Sequence, residues 1–497
     1  MNPRLRAVCD LLVFEAREYA GWHDTYDGYV QDMSPAGIAA ALAGLGKGHK
    51  ERDLHDEAHL AAFEHGLRTS YGDVEEHRHN PMGHIGNLDL ACYDRDYAPQ
   101  AQRHKAKRKH LAAWPDAVAG SIESLDAVPK DVATALLPAA KGLANGVTDE
   151  AALAAHARFI AHLETFATDG DPDASLGAVH LAAVMGDIEA MPVDLGRLAV
   201  QADAERDRLK AVLVDACERY RPGSGKEPRA LVDELVKDHP QPDGIYAEAR
   251  QQIEEATAFT LERDLLPELG GECLVGPAPE SRRWAMAMMS WSAPYEADAP
   301  SWYYVTPPDP SWPEEEQEEW LSVFSRTTLP AITVHEVTPG HYAHARMMRT
   351  LTSDVRRSLF SGAFVEGWAH YVEELFVEEG FRADDPRFTI GVCVEALVRV
   401  TRLAVALGIH TGAMAMDDAV RRFEEDAFLK GPAARSEANR ASYDPTYGRY
   451  TWGKLEIRRL RDEAKAQWGN RFTLRRFHES LMALGAPPLG LIGNALG

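Results

Sequence analysis

The sequence predicts a mainly α-helical protein that carries a small antiparallel β-sheet. Most of the 497 residues follow the hydrophobic period of amphipathic helices. Residues with strand propensity are concentrated between Cys273 and Thr306. No uninterrupted apolar run of about 18 or more residues occurs, so no membrane-spanning helix is predicted.

The helical prediction depends on periodic stretches with recognisable ends. Ser34 precedes Pro35 and a run rich in alanine and leucine, which is typical of an N-cap followed by proline at the first helical position. Further helices are predicted over 151–168, 203–219 and 243–265.

Two segments with many aromatic and apolar residues predict the sheet. They are 284–291 and Ser301–Val305, and Pro307 and Pro308 follow the second segment. Proline cannot donate to a strand ladder, so it marks the end of the second strand. We interpret the two segments as a small antiparallel sheet inside a helical protein.

The charge and the cysteines limit the classes of partner and compartment. The chain has 53 Lys and Arg against 77 Asp and Glu, a net charge of −24, which argues against a nucleic-acid partner. One basic run, 103–110, is interpreted as a solvated helix face. The five cysteines are far apart and odd in number, so a reducing compartment is expected. Acidic residues interrupt the apolar N-terminus, and we predict a cytoplasmic protein without a membrane partner.

One segment carries candidate metal ligands. His335 and Glu336 form the His-Glu pair of a zinc peptidase, but the second histidine, His341, follows after six residues rather than four. In a regular helix such residues lie about 240° apart and could not share a metal. Pro339 and Gly340 predict a kink or bulge that brings both imidazoles to one side.

A third ligand is expected from a later helix. Zinc in a hydrolytic site keeps three protein ligands and an open position. Glu366 lies on a predicted helix with two apolar ridges and is therefore the candidate for the third ligand. One zinc ion, or another divalent metal, is expected. The alternative is that Glu366, His370 and Glu373 form only the solvated side of that helix, with ordinary histidines at 335 and 341.

These motifs resemble a known bacterial family, the "domain of unknown function 885". Its hallmarks are His-Glu-x-x-Pro-Gly-His and Glu-Gly-Trp-Ala-x-Tyr, which match 335–341 and 366–371. Later matches are Arg402, Leu403, 408–410, Glu437, Arg440, Pro445, Tyr450, Gly453, Leu455, Ile457, Leu460, Arg461, Arg471, Phe472, Phe477, His478, 485–486 and 488–489.

The family in turn resembles the thermostable carboxypeptidase Taq type of metallopeptidase. This resemblance implies a large helical fold with a deep cleft and a short sheet along one wall. We expect a helical N-terminal region, 1–265, and a catalytic region, 266–497, with the sheet and the metal-binding helices. The two regions are expected to form one compact unit.

The ligand set and the resemblance together suggest roles for other residues. Glu336 is the expected general base for a metal-activated water. Tyr450, Tyr447 and His410, from the matched C-terminal segments, are candidates to stabilise the oxyanion. Three cations could bind a substrate carboxylate: Arg402, Arg449 and Lys454.

The resulting hypothesis is a zinc-dependent, carboxypeptidase-like exopeptidase that hydrolyses short peptides. Two alternatives stay open: a metal-dependent amidohydrolase acting on a small non-peptide amide, and an inactive helical binding protein. A homodimer is left open. An early polar cluster is interpreted as a loop, although it could line the same cleft: His77, His79, Asn80 and His84.

Overall fold

The computed structural model describes residues 1–279, 282–283 and 286–496. The helices before the sheet are α1 (Pro3–Cys9), α2 (Val13–Glu15), α3 (His23–Tyr26), α4 (Pro35–Gly44), α5 (Leu54–Arg68), α6 (Glu76–His79), α7 (Met82–Leu88), α8 (Gln100–Ser124), α9 (Lys130–Gly142), α10 (Glu150–Asp169), α11 (Ala178–Gly186), α12 (Leu195–Tyr220), α13 (Pro228–Leu235) and α14 (Ile245–Glu262).

A second set of helices follows the sheet and carries the candidate ligands. These helices are α15 (Glu314–Ser322), α16 (Leu329–Glu336), α17 (His341–Met348), α18 (Asp354–Ser358), α19 (Gly362–Glu378), α20 (Arg387–His410), α21 (Met416–Asp426), α22 (Gly431–Tyr443), α23 (Arg449–Trp468), α24 (Leu474–Met482) and α25 (Leu489–Leu496). Short π-helices span Ala16–Ala20 and Thr69–Asp73, and 3₁₀ turns span Ala91–Asp94 and Gly469–Arg471.

The mainly helical prediction is confirmed, and the predicted helices are present. Those predicted over 151–168, 203–219 and 243–265 correspond to α10, α12 and α14. The Ser34 hydroxyl accepts a hydrogen bond of 3.1 Å from the Gly37 N–H, so Ser34 is the N-cap of α4.

The sheet is mixed, so the prediction of an antiparallel sheet is wrong in part. Strands β1 (Cys273–Gly276), β2 (Ala287–Ser290) and β3 (Ser301–Val305) lie in the order β1-β3-β2. β3 pairs antiparallel with β2 and parallel with β1. A hairpin cannot join two parallel strands, so β1 and β3 are separated by a longer connection along the chain. Trp284, where we expected a strand to begin, lies outside the described residues.

The largest hydrophobic cluster runs from Leu181 to Leu496 and joins helices from both predicted regions. Within it, α12 packs against α20. The division at 265 and 266 stays a prediction.

A close contact between α19 and α23 determines the position of the candidate site. A Cβ on Gly367 would lie 2.5 Å from Gly453 Cα, and one on Gly453 would lie 1.9 Å from the Ala363 carbonyl oxygen. No larger side chain fits at either position, so the two backbones touch. This contact holds Glu366 on α19 close to the first turn of α23.

Candidate metal centre

The helix that carries the first histidine ends before the second one. α16 ends at Glu336 and α17 begins at His341. Between them, the Gly340 N–H donates to the Val334 carbonyl at 3.2 Å and the Ala343 N–H donates to the Val337 carbonyl at 3.1 Å. Both bonds span six residues instead of four, so the predicted break around Pro339 and Gly340 is confirmed.

Two contacts hold this break in place. A Cβ on Gly340 would lie 1.8 Å from the His335 carbonyl oxygen, so only glycine allows the chain to pass. The Trp368 indole N–H donates to the Pro339 carbonyl at 2.9 Å and ties the break to α19.

The break brings three candidate ligands together. His335, His341 and Glu366 each offer an atom within 4.8 Å of the others, and we call them the ligand triad. Glu366 Oε2 lies 3.5 Å from His335 Nε2 and 3.4 Å from His341 Nε2. The two imidazole rings are nearly perpendicular, with centroids 4.7 Å apart.

These distances suit one tetrahedral metal ion. Bonds of about 2.0–2.1 Å place tetrahedral ligand atoms about 3.3–3.4 Å apart. Glu366 Oε2 is buried and has no hydrogen-bond partner in the described part of the chain. A buried carboxylate oxygen without a donor is costly unless a cation satisfies it. Two imidazole nitrogens and one carboxylate are also a donor set that zinc accepts.

The charges around the ligand triad favour a cation. Burial and Arg399 act to lower the pKa of His335, but Glu366 and Glu373 outweigh them and raise it to about 9. Burial acts to raise the pKa of Glu366, yet its two histidine partners hold it well below its ordinary value. The potential that attracts a proton here also attracts a metal ion.

A second layer of buried groups supports His335. Its Nδ1 lies 2.6 Å from Glu373 Oε1, which leaves Nε2 directed at Glu366. Arg399 on α20 donates to Glu373 Oε2 at 3.1 Å. His370 and Glu373 are almost completely buried, so the alternative that this ridge of α19 is solvated is wrong. The sequence could not separate the two cases, because polar residues at helical spacing look the same on a wet or a buried face.

Glu336 lies at the end of α16, half-buried. No described residue forms a hydrogen bond or an ion pair with its carboxylate. Its charge acts together with burial, the larger cause, to raise the pKa of the Cys273 thiol to about 12. Glu336 therefore lies on the side of α16 that faces the sheet.

Tyr450 is the predicted oxyanion donor that lies beside the ligand triad. Its ring stacks at 6.4 Å on the ring of His335. Burial and then Glu366 raise its pKa, while nearby arginines oppose them. Tyr447 is also buried, but its hydroxyl donates to Glu437 at 2.8 Å.

His410 is not brought to the ligand triad. It ends α20, eleven residues after Arg399, which is about 16 Å along a helix. Its Nε2 bonds to the Ala441 carbonyl at 2.8 Å. His79 and Asn80 line the same small cavity as His410, so this part of the early polar cluster lies with His410. His77 and His84 bond to each other through the His77 carbonyl.

The three predicted substrate cations have different surroundings. Arg402 forms two 2.7 Å bonds to Glu437, and its guanidinium lies 5.2 Å from the centre of the Tyr450 ring. Arg449 pairs with Asp444. Lys454 is completely buried and pairs with Glu205 and Glu374. Only the two arginines therefore keep exposed surface.

The sequence motifs do not show that several other residues adjoin or support the ligand triad. They are Tyr19 in the first π-helix, Trp291 after β2, and the supporting Glu373 and Arg399. Trp291 lies 6.4 Å, ring to ring, from His341. Tyr19 and Trp291 are far from the motif along the chain and follow no pattern, so only the fold reveals them.

Fold and site together define a helical protein with a His-His-Glu cluster able to hold one metal ion. The chain belongs to the family described as "Bacterial protein of unknown function (DUF885)", which matches residues 15–496. This membership confirms the family resemblance drawn from the motifs. No curated protein gives a significant sequence match.

Two solved structures share the fold. One is "a putative lipoprotein of unknown function from Shewanella oneidensis", 20% identical, with a TM-score of 0.79 over 99% of this chain and 98% of that chain. The other is "the putative lipoprotein from Colwellia psychrerythraea", 16% identical, with a TM-score of 0.78 over 99% of this chain and 97% of that chain. At these identities the likeness shows the fold alone.

Among the residues that the structure describes, no helix is long and apolar enough to cross a membrane. The cytoplasmic location, the lack of nucleic-acid and membrane partners, and the oligomeric state stay predictions.

Proposed function

We propose that the protein is a zinc-dependent metallopeptidase that removes a residue from the carboxyl end of short peptides. The observation that carries the proposal is the convergence of His335 Nε2, His341 Nε2 and a Glu366 oxygen that no described residue hydrogen-bonds. Glu336 follows His335 in the chain, and its half-buried carboxylate has no hydrogen-bond or ion-pair partner among the described residues. Three ligands and one free carboxylate are the minimum set for this chemistry.

Zinc, when bound, polarises a carbonyl group and lowers the pKa of a water molecule. Glu336 would serve as the general base, since its carboxylate would accept a proton from a water molecule at the site. It can pass the proton to the leaving amine. Glu336 suits this role because no arginine or lysine in the described chain neutralises its charge.

Tyr450 is proposed to stabilise the oxyanion. Its ring stacks on His335, so its hydroxyl belongs to the surroundings of the ligand triad. Its pKa is raised, which keeps the hydroxyl protonated and able to donate. Tyr447 and His410 are weaker candidates, because Glu437 already binds the first and the second lies far along α20.

We assign the substrate carboxylate to a group of three arginines around Tyr450: Arg402, Arg440 and Arg449. Two carboxylates, Glu437 and Asp444, pair with them, which leaves one positive charge in excess. Arg440 is the least constrained, since it lies 3.7 Å from Asp444 and its side chain is 39% exposed. An arginine that keeps free donors can form a charged pair with a terminal carboxylate. Lys454 does not suit this role, because it is completely buried.

The deep cleft and the resemblance to Taq-type carboxypeptidases belong to this proposal. Four charged or aromatic side chains around the ligand triad keep part of their surface exposed, as groups that line a cleft do: Arg402, Arg449, Tyr19 and Trp291. A cleft among helices would admit short peptides and exclude folded chains.

Metal analysis and peptide hydrolysis test the proposal. The purified protein should contain one zinc per chain by mass spectrometry and should release C-terminal residues from a peptide library. Glu336→Gln should keep the zinc and lose about 10²–10⁴-fold in kcat. The exposed Glu316→Gln is the control and should keep full activity. Zinc binding without hydrolysis of any peptide would reject the peptidase and favour a binding protein, and hydrolysis of non-peptide amides alone would favour an amidohydrolase.

A further inference from the structure

Four aromatic side chains lie together beside the ligand triad, and each keeps part of its surface exposed. We call them the aromatic wall: Phe14, Tyr19, Trp291 and Phe360. Tyr19 is at the centre, with its ring centroid 5.7 Å from Phe14, 5.2 Å from Trp291 and 6.3 Å from Phe360. Such contacts would bury apolar rings completely in a closed core, so their exposure indicates a surface open to a ligand.

The aromatic wall borders the ligand triad. The Trp291 ring lies 6.4 Å from that of His341. Burial is the main cause of the raised pKa of Tyr19, and the charge of Glu366 is among the further causes. No described residue hydrogen-bonds the Tyr19 hydroxyl, so it is free to face a ligand.

The aromatic wall is also preformed. The Trp291 indole N–H donates to the Tyr19 carbonyl at 3.2 Å. The Trp291 carbonyl accepts from Arg95 at 2.9 Å, and Arg95 in turn is paired with Glu296. A rigid apolar surface binds without an ordering cost.

The aromatic wall and the arginines adjoin different ligands of the triad. Trp291 lies beside His341, whereas Tyr450 and the neighbouring Arg402 lie beside His335. A peptide whose terminal carboxylate binds the arginines has its last residue on the His335 side. With the scissile carbonyl at the triad, the preceding residue falls on the His341 side, against the aromatic wall.

We propose that the aromatic wall is the subsite for the side chain of the residue that supplies the scissile carbonyl, and that it selects a large apolar or aromatic side chain. The proposal rests on the proposed peptidase function. Aromatic rings at 4.5–7 Å stabilise a further ring by stacking and by removing apolar area from water. A negatively charged side chain would lose hydration there without gaining a partner, because the faces of aromatic rings carry partial negative charge.

Binding to an inactive variant tests this subsite. In the zinc-loaded Glu336→Gln protein, isothermal titration calorimetry should give N-acetyl-Phe-Ala a Kd about tenfold lower than that of N-acetyl-Ala-Ala. Adding Trp291→Leu or Phe360→Leu should reduce this ratio to about twofold or less. The matched control is Trp302→Leu, because Trp302 is a half-buried tryptophan on β3 that stacks on Tyr304 and not on the aromatic wall. The control should leave the ratio unchanged.

Equal affinities for the two dipeptides would overturn the subsite, as would an unchanged ratio in the wall variants that fold by circular dichroism. Phe360→Leu is included because it leaves the Trp291 hydrogen bonds intact. At least one variant therefore keeps the bond from the Trp291 indole to the Tyr19 carbonyl. The measurement needs no turnover. Failure of the proposed function is seen separately, as the absence of peptide hydrolysis by the unsubstituted protein.

Discussion

The contact between His335 and Glu373 predicts how a single charge controls metal affinity. Glu373→Gln keeps the shape of the side chain but removes its charge. Glu373 accepts a hydrogen bond of 2.6 Å from His335 and one of 3.1 Å from Arg399. A glutamine has only one oxygen, so it can accept one of these hydrogen bonds and must direct its own N–H groups at the other donor. We expect zinc affinity to fall about 10- to 100-fold, because the bond that orients the imidazole loses its charge assistance.

The assay is competition for zinc with a fluorescent chelator at neutral pH. The matched control is Glu374→Gln, since Glu374 is the next residue on α19 but pairs with Lys454 and Arg458 instead of a ligand. Circular dichroism should show both variants folded. Equal zinc affinities of the Glu373 variant and the control would refute the reasoning.

Three further predictions follow from other contacts. Gly340→Ala should reduce zinc affinity at least tenfold in the same assay, because its Cβ would lie 1.8 Å from the His335 carbonyl, and unchanged affinity would show that the break is not required. Lys454→Met should lower the free energy of unfolding in urea by about 3 kcal/mol, since Glu205 and Glu374 stay buried with fewer partners. Its KM for peptides should not change, and a raised KM would return Lys454 to the substrate site. Burial holds the pKa of His478 at about 4, so the folded protein keeps it neutral. The stability this group confers is fully present above about pH 6.5 and is lost as the pH falls toward 4, by up to about 3 kcal/mol. His478→Gln should flatten the urea stability curve in that window, and an equally steep curve would contradict the assignment.

Local patterns were sufficient to predict the helices and the ligand triad. The period of α10, α12 and α14 is a property of contiguous residues, and a proline and a glycine between two histidines imply a break without tertiary information. The third ligand followed from apolar ridges that place Glu366 beside a core.

Features that depend on distant contacts could not be predicted. The strand propensity of β1 and β3 does not reveal that they pair parallel, because pairing depends on the path of the chain between them. The exposure of Lys454 and Glu373 depends on neighbours from other helices. Tyr19 reaches the ligand triad from a point more than 300 residues earlier in the chain, as the numbering shows.

The most direct test of the proposed metal centre is anomalous scattering from crystals of the zinc-loaded protein, recorded on both sides of the zinc absorption edge. We expect one strong peak at about 2.0–2.2 Å from His335 Nε2, His341 Nε2 and a Glu366 carboxylate oxygen. No peak among these three side chains, or a peak held by other residues, would contradict the assignment of a metal centre to them.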